Sequence, residues 1–373
     1  MAHMTQKIKV GILFGGKSFE HEVSLLSANN IINNLDQNKY DISLIAIDKE
    51  GRWILKDPSN FLADVHDAHK VRIVGEGEPL AISFGTNSFV TLSGKPALES
   101  LDVIFPVLHG ICGEDGTVQG VLKLAGIPFV GASVLASSIG LDKDFMKRLM
   151  RDAGLPIAKF ITCYSNSHQK ITFEEVKEKL GVPFFVKPSN GGSSVGVAKI
   201  NNEIEFTEKL HEAFQYDTKV LIEEFIDCRE LELSVLGNET PIVSIPGEVV
   251  TKDEFYTYDA KYVDDEGTAF IIPAKLSQEE ILSLQFLAKK TYQVLGCEGM
   301  ARIDFFLSKA GKIYVNEINT IPGFTNMSMY PKLWIASGVP YSEILDKLIS
   351  LAIERKKKED RLVSSYSNCI LPG

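Results

Sequence analysis

The sequence predicts an α/β domain at the N-terminus followed by two α+β domains. Three observations carry that prediction. Lys7–Phe14 is an apolar run that breaks at Gly15-Gly16. A helical pattern follows from about Phe19 to Leu35, and a second run, Tyr40–Ile47, completes a strand–turn–helix–strand unit of an open parallel sheet. Beyond residue 180 the strands are short and lie around glycine-rich turns, and 373 residues are too many for one ordinary core.

In order, residues 51–95 read as shorter strands and loops. Leu101–Leu108 resumes the parallel pattern and runs into His109-Gly110-Ile111-Cys112-Gly113-Glu114-Asp115-Gly116. Loops at the carboxyl end of such a strand are where ligands collect in open α/β sheets. A helix over Thr117–Ala125 and a strand over Pro128–Val130 complete a first, Rossmann-like domain, 5–137. The second domain, 138–225, opens with a helix over Asp142–Ala153, stopped by Gly154 and Pro156. Thr172 and Glu175 make a capping-box pattern for the next helix, which Gly181 closes. Phe184–Lys187 and Val195–Ile200 are strands around the loop Ser189–Ser194, and Val220–Phe225 is another. The third domain, 226–365, has strands Leu231–Leu236 and Ile242–Val250, the polar-aromatic loop Thr251–Thr268, and a helix from a Ser277/Glu280 cap to Leu295. A hairpin follows. A helix from Tyr341 to about Arg355 ends the pattern, its stripe of Ile344, Leu345, Leu348, Leu351 and Ala352 packing a core.

With 45% apolar and 24% charged residues, the composition is that of a soluble globular protein. A net charge of -10 excludes a general nucleic-acid or anionic-membrane binder, so a phosphate ligand must meet a local cluster of cations. The five cysteines, at 112, 163, 228, 297 and 369, stand singly without metal-ligand spacing, which suits a reducing cytoplasm. No apolar run approaches the ~20 residues of a membrane span. Met1-Ala2-His3-Met4 lacks the apolar core of a signal peptide and reads as a vector remnant.

The hairpin, Ala301–Phe306 and Tyr314–Gly323, concentrates polar residues. With Ala310-Gly311 as a two-residue turn, Lys309 faces Lys312, Asp304 falls opposite Glu317, and Arg302 opposite Asn319. All four then project from one face, with Ile303, Phe305, Asn316 and Ile318 on the other. Two like charges so placed repel, so something positive belongs between them. Two carboxylates and an amide oxygen are the hard donors Mg²⁺ takes when it also holds substrate phosphates. Arg302 neutralising the pair on a salt-bridged surface is the alternative, and both stand open on these residues alone.

Gly11–Ser18 satisfies the phosphate-binding pattern GxxxxGK[ST] by accident, since Ile12-Leu13-Phe14 continue a strand and leave only a short turn. Glu20, in the first helical turn, faces the strand-end crevice or compensates the helix N-terminus. Lys187-Pro188-Ser189-Asn190-Gly191-Gly192-Ser193-Ser194-Val195-Gly196 is more specific: its backbone N–H groups can wrap phosphate oxygens beside a fixed lysine. Leu221–Ile226 reads as a connector able to bond an adenine edge. Glu230 or Glu232 could take a ribose diol, although a half-exposed strand explains their alternation equally well. Tyr256–Tyr262 reads as a lid, or as a loop packed down by its aromatics. Pro322-Gly323 lets backbone approach a ligand, with Ser328 just beyond.

Taken together, these motifs resemble the ATP-grasp superfamily and, within it, the D-alanine–D-alanine ligases. The resemblance covers nearly the whole chain, through Gly15-Gly16 with Glu20–Ser24, His109-Gly110 with Glu114-Asp115-Gly116, the Lys187 flap, Tyr258–Tyr262, Arg302-Ile303-Asp304 and Asn316–Gly323. It implies a three-domain ATP-grasp architecture and the ligation of two D-alanines through an acyl phosphate, for peptidoglycan precursors in the cytoplasm. It implies that Lys143 and Lys187, with Ser193 and Ser194, hold the ATP phosphates, and that Lys261 reaches the transferring phosphoryl. Glu223, Glu224 and Ile226 would line adenine and Glu232 bind ribose, with Glu230 as competitor. Asp304, Glu317 and Asn319 would ligate two Mg²⁺ (or Mn²⁺). Glu20, Ser193 and Tyr262 would stand beside the first D-alanine's ammonium. Arg302 and the N–H of Gly323 would form the oxyanion hole, and Ser328 would hold the second carboxylate. Tyr262, where depsipeptide-forming relatives resemble one another in carrying Phe, implies D-alanine as second substrate. Met327, where some relatives have His, departs from the pattern. The family implies a homodimer. Rival readings are a ligase taking D-lactate or D-serine second, and a nucleotide-binding regulator without turnover, which would lack the metal carboxylates or Arg302.

Overall fold

The structure is a computed structural model that describes residues 6–98, 100–167, 171–251 and 268–363. The chain begins β1 (Ile8–Gly15), α1 (His21–Asn34), β2 (Tyr40–Ile47), β3 (Trp53–Lys56), β4 (Leu62–Ala63), β5 (Arg72–Ile73), β6 (Gly77–Ser83), β7 (Ser88–Thr91), β8 (Pro96–Leu98), β9 (Val103–Val107) and α2 (Thr117–Ala125). Its main sheet has the order β8-β7-β6-β3-β2-β1-β9. β1 runs parallel to β2 and β9, joined through α1. β3, β6, β7 and β8 add to this sheet antiparallel. The expected strand Pro128–Val130 is reduced to a single parallel bridge, Ile104 to Phe129. The Gly15 turn explains its residue: a Cβ there would meet Ile47 O at 2.2 Å, at a φ of +94°. Ser24 of α1 locks this turn, accepting from Gly15 N (2.7 Å) and donating to Val107 O.

Next come α3 (Val134–Leu141), α4 (Lys143–Asp152), β10 (Phe160–Tyr164), α5 (Phe173–Leu180), β11 (Phe184–Pro188), β12 (Ala198–Ile200), α6 (Glu203–Tyr216) and β13 (Lys219–Glu224). The Thr172/Glu175 capping box forms as expected. β10-β13-β11-β12 is an antiparallel sheet. Its core of Phe173, Val176, Phe184, Phe206 and Ala213 comes from α5, α6 and the sheet. The short α3, β10 and α6 are additions to the expected pattern; α6 buries only Phe206 and Ala213, too faint a stripe to read.

The last part holds β14 (Cys228–Gly237), β15 (Ile242–Val243), β16 (Gly247–Thr251), β17 (Thr268–Ile271), α7 (Gln278–Val294), β18 (Gly299–Ser308), β19 (Ile313–Asn319), α8 (Met329–Ala336) and α9 (Tyr341–Glu359). β17-β16-β14-β18-β19 form an antiparallel sheet, with β15 on β14. One strand was expected over Ile242–Val250; two short ones form, on either side of Ser244–Pro246. α4 and α7 cover one sheet face with Met146, Met150, Leu284 and Tyr292. Ile344, Leu345 and Leu348 of α9 share a core with Val10, Phe14 and Leu25, fastening the end of the chain to the N-terminal sheet.

The β18–β19 hairpin corrects the expected turn. Ser308 N–H donates to Lys312 O and Gly311 N–H to Ser308 O, both at 2.9 Å, so the loop is Lys309-Ala310-Gly311 with Gly311 at φ +78°. That moves the inner pairs by one, to Leu307–Ile313 and Phe305–Val315. A β-bulge between Asp304 and Phe305 moves them back, so Arg302–Asn319 and Asp304–Glu317 pair as counted. Asn316, the extra residue, was expected on the apolar face; the bulge makes it part of the lining of the cleft beside Glu317.

Candidate active site

The two antiparallel sheets and the loops of the N-terminal domain enclose a cleft of about 800 Å³. Glu20, His109, Lys143, Lys187, Ser193, Ser194, Glu223, Glu224, Ile226, Glu232, Arg302, Asp304, Glu317, Asn319, Gly323 and Ser328 all line it. Lys261 and Tyr262 lie outside the described residues.

At one end stands Glu20. It is the N-cap of α1, one residue before the expected first turn, and it is buried. Ser193 Oγ donates to its Oε1 at 2.5 Å, joining the flap to the N-terminal domain. Ser193 and Ser194 both adopt left-handed backbone, φ 51° and 59°, which curls the flap tip. A Cβ on Gly192 would stand 3.0 Å from Glu20 Oε2, so glycine is what lets the flap come this close. The base of the flap is pinned from below. Asn190 donates twice to Asp217 (2.7 and 3.0 Å), Ser189 Oγ donates to Asp142 (3.0 Å), and Lys143 Nζ donates to Gly191 O (2.5 Å).

Behind Glu20 are two residues that the sequence marked only as parts of a motif. His109 is buried, its Nδ1–H donating to Ile321 O at 3.1 Å. Burial lowers its pKa despite the attraction of Glu20, which favours the neutral ring. Its buried Nε2 has no hydrogen-bond partner among the described residues. Glu114 accepts from Gly110 N (2.9 Å) and Ile321 N (3.1 Å). Burial, with Glu20 repelling, raises its pKa to about 8. Together these two hold the segment after β19 against the N-terminal domain.

Below the flap, Lys187 Nζ lies 3.0 Å from Glu223 Oε1, and Lys147 Nζ lies 2.8 Å from Glu223 Oε2. Glu223, expected to line adenine, lines the cleft with its two oxygens on two lysines. Burial raises its pKa, but Lys147 and Lys187 outweigh burial and hold the carboxyl below its ordinary value. Glu224 Oε1 accepts from Lys159 N at 2.7 Å, steadying the connector at Ile226. Lys147 was missed because it sits on α4 among residues that read as an ordinary amphipathic helix.

The hairpin face carries the acids. Arg302 forks onto Asp304, Nε to Oδ1 and Nη2 to Oδ2, each at 2.8 Å, and its Nε is 3.0 Å from Glu232. Arg302 thus neutralises the acids, which need it because Asp304 stands across strands from both Glu317 and Glu232. Glu232, expected on ribose, is buried against Arg302. Glu230, two residues nearer the connector, is exposed and lines the cleft. Asn319 Nδ2 donates to Asp304 Oδ2 at 3.0 Å. Among the described residues no three His, Cys, Asp or Glu side chains group closely enough to hold a metal by themselves. The donor set is two facing carboxylates with amide oxygens beside them, one of which, Asn316 Oδ1, is buried without a hydrogen-bond partner among the described residues. That set fits a hard divalent ion which draws its remaining ligands from phosphate and water.

A further wall is built by the loop after β19. Phe324 N–H donates to Ser27 Oγ (3.1 Å), and Phe324 O accepts from Asn30 Nδ2 and from the Tyr341 hydroxyl, both at 2.8 Å. A Cβ on Gly323 would come within 2.7 Å of Ser328 Oγ, which accepts from Thr325 N at 2.9 Å.

Comparison with known proteins covers the same ground. Residues 9–132 match the family model for the D-ala D-ala ligase N-terminus, and residues 149–350 that for the D-ala D-ala ligase C-terminus. A D-alanine–D-alanine ligase of Oceanobacillus iheyensis is 50% identical over 364 residues, 97% of this chain and 100% of the relative. D-alanine–D-alanine ligase A of Escherichia coli K12 is 47% identical over 360 residues, 96% of this chain and 99% of the relative. Among solved structures, the D-alanine–D-alanine ligase of Coxiella burnetii superposes with a TM-score of 0.85 at 37% identity, covering 98% of this chain and 99% of that one. The VanG D-Ala:D-Ser ligase of Enterococcus faecalis does so with 0.82 at 34%, covering 93% and 100%. With both family models matched in order and relatives at half identity along their whole length, the chain belongs to the D-alanine–D-alanine ligases and has their ATP-grasp architecture.

Proposed function

We propose that this protein joins two D-alanine molecules to D-alanyl-D-alanine, converting ATP to ADP and phosphate, for peptidoglycan precursors in the cytoplasm. A free carboxylate has no leaving group, so the γ-phosphoryl of ATP first moves onto the carboxylate of one D-alanine. The amino group of the second then attacks that acyl phosphate, forming the C–N bond as phosphate leaves and the amine sheds its proton. Such transfer depends on position and charge neutralisation more than on a covalent catalyst. The observation that carries the reading is one cleft lined by the phosphate-type lysines Lys143 and Lys187, the acidic hairpin face and the Glu20–Ser193 pair.

In this scheme Lys143, Lys187, Ser193 and Ser194 bind the ATP phosphates, Glu224 and Ile226 flank adenine, and exposed Glu230 takes ribose in preference to Glu232. Glu20 with Ser193, joined by Tyr262, receives the first D-alanine's ammonium, and Lys261 reaches the moving phosphoryl. Asp304, Glu317 and Asn319 hold Mg²⁺ or Mn²⁺, which supplies charge neutralisation to the phosphates when bound. Arg302 and the N–H of Gly323 stabilise the oxyanion of the forming peptide, and Ser328 holds the second carboxylate. Division at 5–137, 138–225 and 226–365, and a homodimer, complete the proposal.

Phosphate release measured with D-alanine, with L-alanine and with no amino acid tests it. Release only with D-alanine is expected, and equal release in all three refutes the reading. The likeness to a D-Ala:D-Ser ligase supports a second reading, D-serine as second substrate. Mass spectrometry of the product from equimolar D-alanine and D-serine separates the two.

A further inference from the structure

Lys147 has no solvent exposure at all. It lies on α4, one turn after Lys143, which bonds the flap. Burying a cation is costly unless it is paired, and this face of α4 otherwise packs with methionine, at Met146 and Met150. Lysine here therefore answers to something other than packing. Its partner is Glu223, whose other oxygen is on Lys187. The three groups form a buried chain of two positive charges and one negative, a net charge of +1. If Lys147 were neutral, Glu223 and Lys187 would cancel, and the lysine at the cleft wall would offer an anion little net attraction. Burial lowers the Lys147 pKa, against the attraction of Glu223 and, more weakly, of Glu317 on β19.

We propose that Lys147 is a positioning residue for the nucleotide: it takes up the charge of Glu223 and so leaves that of Lys187 available to phosphate. The proposal rests on the reading of this cleft as the ATP site. It makes Glu223 a strut between lysines, and it assigns a role to a side chain that never touches the ligand.

The test is binding of the β,γ-imido analogue of ATP with Mg²⁺ to the full-length chain, by titration calorimetry. Wild type must bind the analogue; if it does not, the ATP-site reading fails and this inference with it. Given wild-type binding, Lys147→Met is expected to weaken the analogue about tenfold, about 1.4 kcal/mol. The double variant Lys147→Met/Glu223→Gln, which removes the partner charge as well, is expected to bind within about threefold of wild type, with the KM for D-alanine unchanged in both. Single-variant binding within about twofold of wild type, or a double variant no tighter than the single, overturns the inference. Should Lys147→Met show no cooperative thermal transition, the double variant decides alone. It leaves Lys187 as the one charge of the trio, the same net +1 as in wild type, and binding more than about threefold weaker than wild type overturns the idea.

Discussion

Ser193→Ala isolates the contact that closes the flap onto the N-terminal domain. The variant removes one hydroxyl, whose 2.5 Å donation to Glu20 Oε1 is its link to the N-terminal domain. A hydrogen bond to a charged group contributes about 1.5–3 kcal/mol. Glu20 is only 8% exposed, so solvent screens it little, but Ser193 is half-buried, and the lower part of that range applies. About 1.5–2 kcal/mol corresponds to a roughly 10–30-fold fall in kcat/KM for D-alanine. The assay is ADP formation against D-alanine concentration at saturating ATP, repeated against ATP at saturating D-alanine. The fall is expected in the first series far more than in the second, because the lost bond orders the flap over Glu20 and leaves Lys187 in place. A change in kcat/KM for D-alanine below about threefold would refute the argument that this contact organises the first subsite.

Arg302→Met should lower kcat by about 10²-fold, the loss typical of one oxyanion donor, while a circular dichroism spectrum stays that of wild type; near-normal turnover would remove Arg302 from the chemistry. Stability should fall as pH rises from the ordinary carboxyl value of 4.5 towards the value of about 8 reached by Glu114, because the unfolded chain ionises this group first and the folded chain resists. Glu114→Gln, neutral throughout, should flatten that slope in urea titrations between those limits; identical slopes in the two proteins would contradict the assignment. In the core under the acidic face, Leu284→Ala should cost about 2–5 kcal/mol and Tyr292→Phe, which loses a buried 2.7 Å bond to Gly237 O, about 1–2 kcal/mol. Calorimetric melting in which Tyr292→Phe proves the costlier of the two would point to a polar network in place of packing.

How far the sequence could be read depended on how local each cause was. The two capping boxes involve residues three apart and formed as expected. The partners of Asp304 and Arg302 came out as counted although the turn was miscounted, because a longer loop and a bulge shift the register in opposite directions. Asn316 shows the cost of that cancellation: alternation assigned it to the apolar side, and only the bulge makes it a neighbour of Glu317 in the cleft. The meaning of Lys147 was beyond any local rule, since its partner lies 76 positions along the chain, on β13. Glu230 and Glu232 were indistinguishable as an alternating pair until β14 was laid against β18, which sets Glu232 opposite Asp304. The loop of Tyr258, Lys261 and Tyr262 lies outside the described residues.

α1 carries Glu20 at its start and, with Ser27 and Asn30, grips Phe324 from its second and third turns. Ten residues of helix span about 15 Å with little give. The helix is thus a calliper with one jaw on the flap, through Glu20 and Ser193, and the other on the loop after β19. The spacing between the two points it grips is therefore set by the pitch of one helix.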